Sequence, residues 1–286
     1  MGAAFNVENL TFKYPSSGED TIKGISFDVL EGEIFGLLGP SGAGKSTTQK
    51  ILIKLLEDYR GTIKYFGRSL NSMDNSFYEE IGVGFEVPVH FSKLTALENM
   101  KFFSGFYKKT ANIQELMERV GLWEYRDVKV GEFSKGMKVR LNFVRAMLNN
   151  PRVLFLDEVT NGLDPKNARI IKDMIAEYRA DGGTVFLSTH LMNDVEQLCD
   201  RIAFCVNGRL VETSTPRELK LKYGKREVKV EYRENGTIAS AVFPLDGIGF
   251  NDEFQKLLKS GKIETIHSGE TSMEEIFIIV TGVELK

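Results

Sequence analysis

A chain of 286 residues has room for one large or two modest domains and ample length for a packed core. Its 42% hydrophobic and 27% charged residues are those of an ordinary globular protein, and a formal net charge of −3 gives no long-range attraction for nucleic acid. No apolar run reaches the ~18 residues needed to span a bilayer, and Met1-Gly-Ala-Ala-Phe-Asn lacks the charged start and apolar block of a secretion signal, so cytosolic placement is expected.

The first strong element is a short apolar run, Glu33-Ile-Phe-Gly-Leu-Leu38, which reads as a buried strand. It leads into Gly39-Pro40-Ser41-Gly42-Ala43-Gly44-Lys45-Ser46-Thr47, a fit to G-x-x-x-x-G-K-[ST]. Ile51, Leu52, Leu55 and Leu56 follow at the spacing of one helix face. Strand, glycine loop and helix in this order form a phosphate site. The glycines let backbone N–H groups converge on oxygen atoms at the positive end of the helix. Lys45 is expected to reach the β- and γ-phosphates, and the Ser46 hydroxyl to ligate Mg²⁺.

Residues ~88–148 read as mostly helical, with apolar faces around Met100, Phe103, Phe106, Leu116 and Val120. Met137, Leu141, Val144 and Leu148 recur at helical spacing, so a helix starts near Ser134, which can cap it. Its N-terminal N–H groups and dipole can face a phosphate. Asn149-Asn150-Pro151 ends that helix. Val153-Leu-Phe-Leu-Asp157-Glu158 is then a buried strand that delivers two carboxylates where strands stop, the place where α/β sheets bind ligands. Asp157 is expected to hold Mg²⁺ and Glu158 to polarise an attacking water as general base. Asp164 caps the next helix, with Pro165 in its first turn and Ile170, Ile171, Met174, Ile175 and Tyr178 on its apolar face. Val185-Phe-Leu-Ser-Thr189 brings His190 to another strand end, in reach of a γ-phosphate or its water. His90 and His267 have no such setting and read as structural or surface residues, and Cys199 and Cys205 as small apolar fillers rather than a disulfide.

Asn207-Gly208 between Ile202–Val206 and Arg209–Glu212 predicts a hairpin. From ~215 the character changes: an alternating strand at Glu227–Arg233, a turn at Glu234-Asn235-Gly236, a partner strand at Ala239–Phe243, a short helix around Phe254, Leu257 and Leu258, a strand at Lys262–His267, and a last helix capped by Ser272 and Glu275.

Taken in order, the glycine loop, Phe133-Ser134-Lys135-Gly136-Met137, Asp157-Glu158, Asn161-Gly162-Leu163-Asp164 and His190 make the chain resemble the nucleotide-binding subunit of an ATP-binding cassette (ABC) transporter, over roughly its first three-quarters. The resemblance implies an α/β P-loop cassette: a RecA-like core with an antiparallel β edge sheet and an inserted helical subdomain (about 88–148) within residues 1–214, plus a small α+β C-terminal extension over 215–286. It implies ATP and Mg²⁺ as ligands, with Tyr14 stacking on adenine. Lys45, Glu158 and His190 become the catalytic set, and Ser46, Asp157 and Glu86 the metal ligands. Ser134, Gly136 and Asp164 are expected to meet ATP across a head-to-tail pair, formed with a second copy or a related cassette. The implied function is ATP hydrolysis that powers export through a separate integral-membrane subunit, with this chain peripheral on the inner face of the cell membrane. A soluble, ribosome- or DNA-associated cassette is the alternative; the usual second cassette or long coiled coil is lacking.

Two segments depart from the family pattern. Leu-Ser-Gly-Gly-Gln is replaced by Phe133-Ser134-Lys135-Gly136-Met137, a form similar to exporters of drugs, peptide antibiotics or lipids. Glu86 stands where a metal-contacting Gln is usual, which resembles bacitracin- and lantibiotic-exporter-like cassettes; it keeps an oxygen ligand and loses the amide donor. The apolar stretch Val87–Thr95 that follows is read either as local core packing or as the groove for a membrane subunit.

Overall fold

A computed structural model describes residues 2–234, 236–269 and 271–284, so Asn235 of the expected turn lies outside the described residues. Two compact units divide the described residues, the first running to Pro216 and including Glu284, the second spanning Arg217–Val283.

The first unit stacks two sheets. Strands β1 (Ala3–Phe12), β2 (Ile22–Leu30), β4 (Arg60–Tyr65) and β5 (Arg68–Ser69) form an antiparallel sheet in the order β2-β1-β4-β5. The second sheet has the order β10-β9-β3-β8-β7-β6, built from β3 (Ile34–Leu38), β6 (Ile81–Gly84), β7 (Val153–Asp157), β8 (Thr184–Thr189), β9 (Arg201–Val206) and β10 (Arg209–Ser214). Its strands run parallel except for β10, which returns from β9 as a hairpin through Asn207 and Gly208, both at positive φ. The continuous apolar runs of β3, β7 and β8 are buried along their whole length, as a sheet covered on both faces demands. Aromatic rings join the two sheets: Phe27 stacks on Phe35 at 5.4 Å and Phe5 meets Phe155 edge-on at 5.6 Å. Each such buried ring contributes roughly 1.5–3 kcal/mol.

Helices surround the sheet. Helix α1 (Lys45–Leu52) follows β3, and a single turn, α2 (Phe77–Glu80), precedes β6. Then come α3 (Ala96–Ser104), α4 (Ile113–Arg119) and α5 (Lys135–Met147), followed by α6 (Pro165–Ala180) between β7 and β8 and α7 (Met192–Leu198) after β8. Two readings of helix faces need correction. Helix α1 stops at Leu52, with Lys54 at φ 58°, so Leu55 is 55% exposed and does not continue the buried face. Phe106 lies beyond α3 and is 66% exposed, outside the apolar face assigned to it.

From Arg217 on, in the second unit, the rest of α8 (Pro216–Tyr223) leads into a three-stranded antiparallel sheet ordered β12-β11-β13, from β11 (Glu227–Glu234), β12 (Thr237–Pro244) and β13 (Ile263–Gly269). Val228, Val230 and Phe243 form a small core there, joined by Phe254 and Leu257 of α9 (Asp252–Lys259). Helix α10 (Met273–Thr281) starts with the expected reciprocal cap between Ser272 and Glu275.

Candidate functional site

Strand order brings the polar strand ends together. Adjacent in the sheet are β3, β8, β7 and β6, and their C-terminal ends carry the glycine loop, His190, Asp157 with Glu158, and Glu86 respectively. These ends open into one cleft of about 320 Å³, lined by Thr21, by Ser41, Gly42, Gly44, Lys45, Ser46 and Thr47 of the loop, and by Glu86, Asp157, Glu158 and His190.

The loop is shaped for an anion. Gly42 and Gly44 take φ of 77° and 106°, conformations that favour glycine. No side chain caps α1, so the first-turn N–H groups remain available to a ligand at the positive end of the helix dipole. The Lys45 ammonium donates to the Gly39 carbonyl at 2.7 Å and the Pro40 carbonyl at 3.1 Å, which folds it across the loop. The loop rests on β9: a Cβ on Gly39 would stand 2.0 Å from the Cys205 carbonyl, and the Gly208 N–H donates to the Ala43 carbonyl at 3.0 Å. Thus Gly39, Pro40 and Ala43 shape the loop from behind and do not line the cleft. Burial lifts the Cys205 thiol to about 11, which keeps it neutral beneath the loop.

Opposite the loop, Glu158 sits at φ 51° and is almost wholly buried. Its carboxylate accepts from the His190 N–H at 3.0 Å and the Thr189 hydroxyl at 3.1 Å, and lies 2.7 Å from His190 Nδ1. Asp157 accepts a bond from the Ser188 hydroxyl, which is 2.9 Å from the Gln49 amide oxygen. Thr21, Gln49, Ser188 and Thr189 were not singled out from sequence. Ser188 and Thr189 ended a strand whose polar tip was visible, whereas nothing local marks Thr21 or Gln49. Glu86 is exposed at the end of β6, with no protein partner for its carboxylate among the described residues.

Tyr14 lies beside the loop, its hydroxyl 3.2 Å from Thr47 Oγ1 and its ring edge-on to Phe12 at 4.9 Å. Ser134, Gly136 and Asp164 form a separate, largely solvent-facing group that does not line the cleft. Ser134 caps α5 by accepting from the Met137 N–H at 3.2 Å, and Asp164 caps α6 by accepting from the Asn167 N–H at 3.0 Å. Bonds from the Asn167 side chain and backbone hold the Asp164 carboxyl below the usual range. Gly136 approaches Leu163, 3.6 Å from where a Cβ would stand.

The segment after Glu86 is strapped to α5. Asn142 donates to the Phe85 carbonyl at 2.8 Å, Arg145 to the Val89 carbonyl at 2.6 Å, and His90 Nε2 lies 3.2 Å from the Lys138 carbonyl. Val87 is 69% exposed, so core packing does not account for this apolar stretch. Nearby, Leu55, Tyr78, Val83, Phe85, Phe103 and Tyr107 line an apolar depression of about 320 Å³.

The sequence profile described as "ABC transporter" matches residues 22–161. A fluoroquinolones export ATP-binding protein of Mycobacterium tuberculosis is 48% identical over 281 residues, covering 98% of this chain and 93% of that protein. The chain belongs to the ABC transporter family. As one of its ATP-binding subunits it carries the ATP site of a family that hydrolyses ATP. A second profile, "Fluoroquinolone efflux ABC transporter C-terminal domain", matches residues 226–270 of the ABC subunit. The bacitracin transport ATP-binding protein of Bacillus licheniformis is 36% identical, over 74% of this chain and 70% of its own length. Among solved structures, an ATP-binding subunit of an ABC transporter superposes with a TM-score of 0.70 at 29% identity, over 77% of this chain and 93% of the other. A dimeric post-hydrolysis cassette bound to ADP and Pi matches with a TM-score of 0.67 at 26% identity, over 74% and 98% of the two chains.

Proposed function

We propose that this chain hydrolyses Mg·ATP in the cleft at the strand ends, and that the reaction drives export through a separate integral-membrane subunit. The observation that carries the reading is Glu158, fixed by Thr189 and His190 inside the cleft that also contains Lys45.

In this reading the loop N–H groups, Lys45 and Thr47 bind the phosphates, while Tyr14 stacks on adenine. Glu158 accepts a proton from water as its oxygen bonds to the γ-phosphorus, and the bond from that phosphorus to the ADP oxygen breaks. His190 holds the Glu158 carboxylate in place and contacts the γ-phosphate. Ser46, Asp157 and Glu86 offer only hard oxygen donors to the cleft, a set suited to Mg²⁺, which takes one or two carboxylates alongside phosphate oxygens. When bound, Mg²⁺ supplies positive charge against the β- and γ-phosphate oxygens.

The cleft encloses nucleotide from one side. A second copy, head-to-tail, brings Ser134, Gly136 and Asp164 to the open side, so that two ATP molecules are shared reciprocally. The solved cassette described as dimeric and bound to ADP and Pi supports the pairing of two copies. The γ-phosphate bridges the copies only before cleavage, which makes closure and reopening a hydrolysis cycle.

The apolar depression beside Val87, Val89 and Phe91 suits a short helix of the membrane subunit, and docking there places the chain on the inner face of the membrane. Among the described residues no helix is long and apolar enough to cross a membrane. The cargo we assign is of the fluoroquinolone class, supported by a match that continues into the C-terminal unit.

Glu158→Gln tests the reading. Phosphate release is expected to fall on the order of 10²–10⁴-fold, and Mg·ATP to trap a dimer in size-exclusion runs. A variant that hydrolyses normally and stays monomeric defeats the assignment.

A further inference from the structure

Lys135 is a cation at the electrostatically unfavourable end of a helix. It opens α5, where the dipole disfavours positive charge, and no acidic residue lies in that first turn to offset it. The residue is exposed, and among the described residues no carboxylate or carbonyl pairs with its ammonium.

Its side chain instead lies over the turn that follows Glu158. A Cβ built on Gly162 would stand 2.9 Å from both Cε and Nζ of Lys135. The bare backbone of Gly162, at φ 79°, is therefore the seat of the lysine stem. That seat is tied to the cleft: the Asn161 N–H donates to the Glu158 carbonyl at 3.0 Å, and the Leu163 N–H to the Thr160 carbonyl at 3.1 Å. Lys135 thus touches both the Ser134–Gly136 segment and the turn that carries Glu158.

We propose that Lys135, positioned by Gly162, contacts the terminal phosphate of the ATP held by a second copy of this chain. The inference rests on the head-to-tail reading above. Ser134 and Gly136 provide a hydroxyl and close backbone approach to that phosphate, and Lys135 provides the charge. A charge-assisted contact of this kind joins the copies only when triphosphate is present. Gly162 orders the flexible side chain in advance, which reduces the entropy lost when the contact forms. The pairing is internal to one copy, so the residue that reads the partner's nucleotide rests on the turn leading from its own Glu158.

The test uses the full chain carrying Glu158→Gln and measures its Mg·ATP-dependent dimerisation by sedimentation. Lys135→Met keeps the apolar stem and removes the charge. It is expected to weaken dimerisation about tenfold or more, to leave the monomer's affinity for a fluorescent ATP analogue unchanged, and to make dimerisation less salt-dependent. Lys135→Arg should retain most of the effect. Gly162→Ala should weaken dimerisation when Lys135 is present and add little on top of Lys135→Met. Dimerisation of Lys135→Met equal to that of its parent, at the same salt dependence, overturns the inference alone. A Glu158→Gln parent that never dimerises overturns the head-to-tail reading and this inference with it.

Discussion

The cleft at the strand ends and the Ser134–Asp164 group differ in how completely one chain builds them. In the cleft, the acidic side chains of Asp157 and Glu158 are buried and held by neighbours from adjacent strands. In the Ser134–Asp164 group, Ser134 and Asp164 are exposed, and their hydrogen bonds stay within their own helix turns. Buried polar groups need preformed partners because an unpaired one costs roughly 1–3 kcal/mol. Exposed caps carry no such demand and can turn to a ligand from outside. On the reading proposed above, one chain completes the first region as a binding surface, and the second becomes one only against a partner copy.

The sharpest way to break this contrast is Lys45→Ala. Loss of the ammonium that bridges the glycine loop should lower turnover on the order of 10²–10³-fold and abolish binding of a fluorescent ATP analogue by the monomer. Retained binding would mean that the cleft is not the nucleotide site. Ser134→Ala should behave differently. Monomer affinity for nucleotide should stay within about twofold, while turnover falls roughly 10–100-fold for want of one phosphate donor. Folding stability in a denaturant titration should drop only by the amount expected for a lost cap, about 1 kcal/mol. Equal losses of binding and turnover would erase the distinction between the two regions.

A smaller effect tests how the regions are joined, since His90 lies where the segment after Glu86 meets α5. Burial pushes its imidazole down to about 4, against the opposing pull of the Lys138 carbonyl; the Arg145 and Lys138 charges push the same way as burial. An unfolded histidine titrates near 6.5, so on acidification the unfolded chain takes up this proton first. The stabilisation from neutral His90 is complete above about pH 6.5 and is lost as pH falls towards 4, amounting to about 2–3 kcal/mol. Denaturant titrations of His90→Gln should show a flatter pH dependence over that window. An unchanged slope would show that His90 is not held neutral.

Much of this was legible in the sequence, for physical reasons. Strands buried on both faces are continuous apolar runs, and Asp164-Pro165 and Ser272 with Glu275 signal helix starts through local hydrogen bonds. Glu158, Asp157 and His190 stood out because polar residues at the ends of such runs must emerge where strands stop. What failed was the end of α1: Leu55 kept helical spacing, yet its side chain belongs to an apolar depression at the surface. Spacing records which residues share a face, not whether another element covers that face. The seat of Lys135 on Gly162 was hidden for another reason. It joins two turns distant in sequence and depends on a positive φ that no pattern announces.

The contact between Gly39 and the Cys205 carbonyl has a consequence for dissecting the protein. Every nucleotide motif is on the chain by His190, and the family profile already ends at residue 161. Yet the backing that gives the glycine loop its curvature arrives only with β9 and the Asn207-Gly208 hairpin. A truncation just after β8 would retain every recognisable motif and lose the scaffold beneath the first of them. A chain cut just after β8 is therefore expected to lose nucleotide binding and one cut beyond Gly208 to keep this support for the loop, which binding of a fluorescent ATP analogue by the two truncations would check.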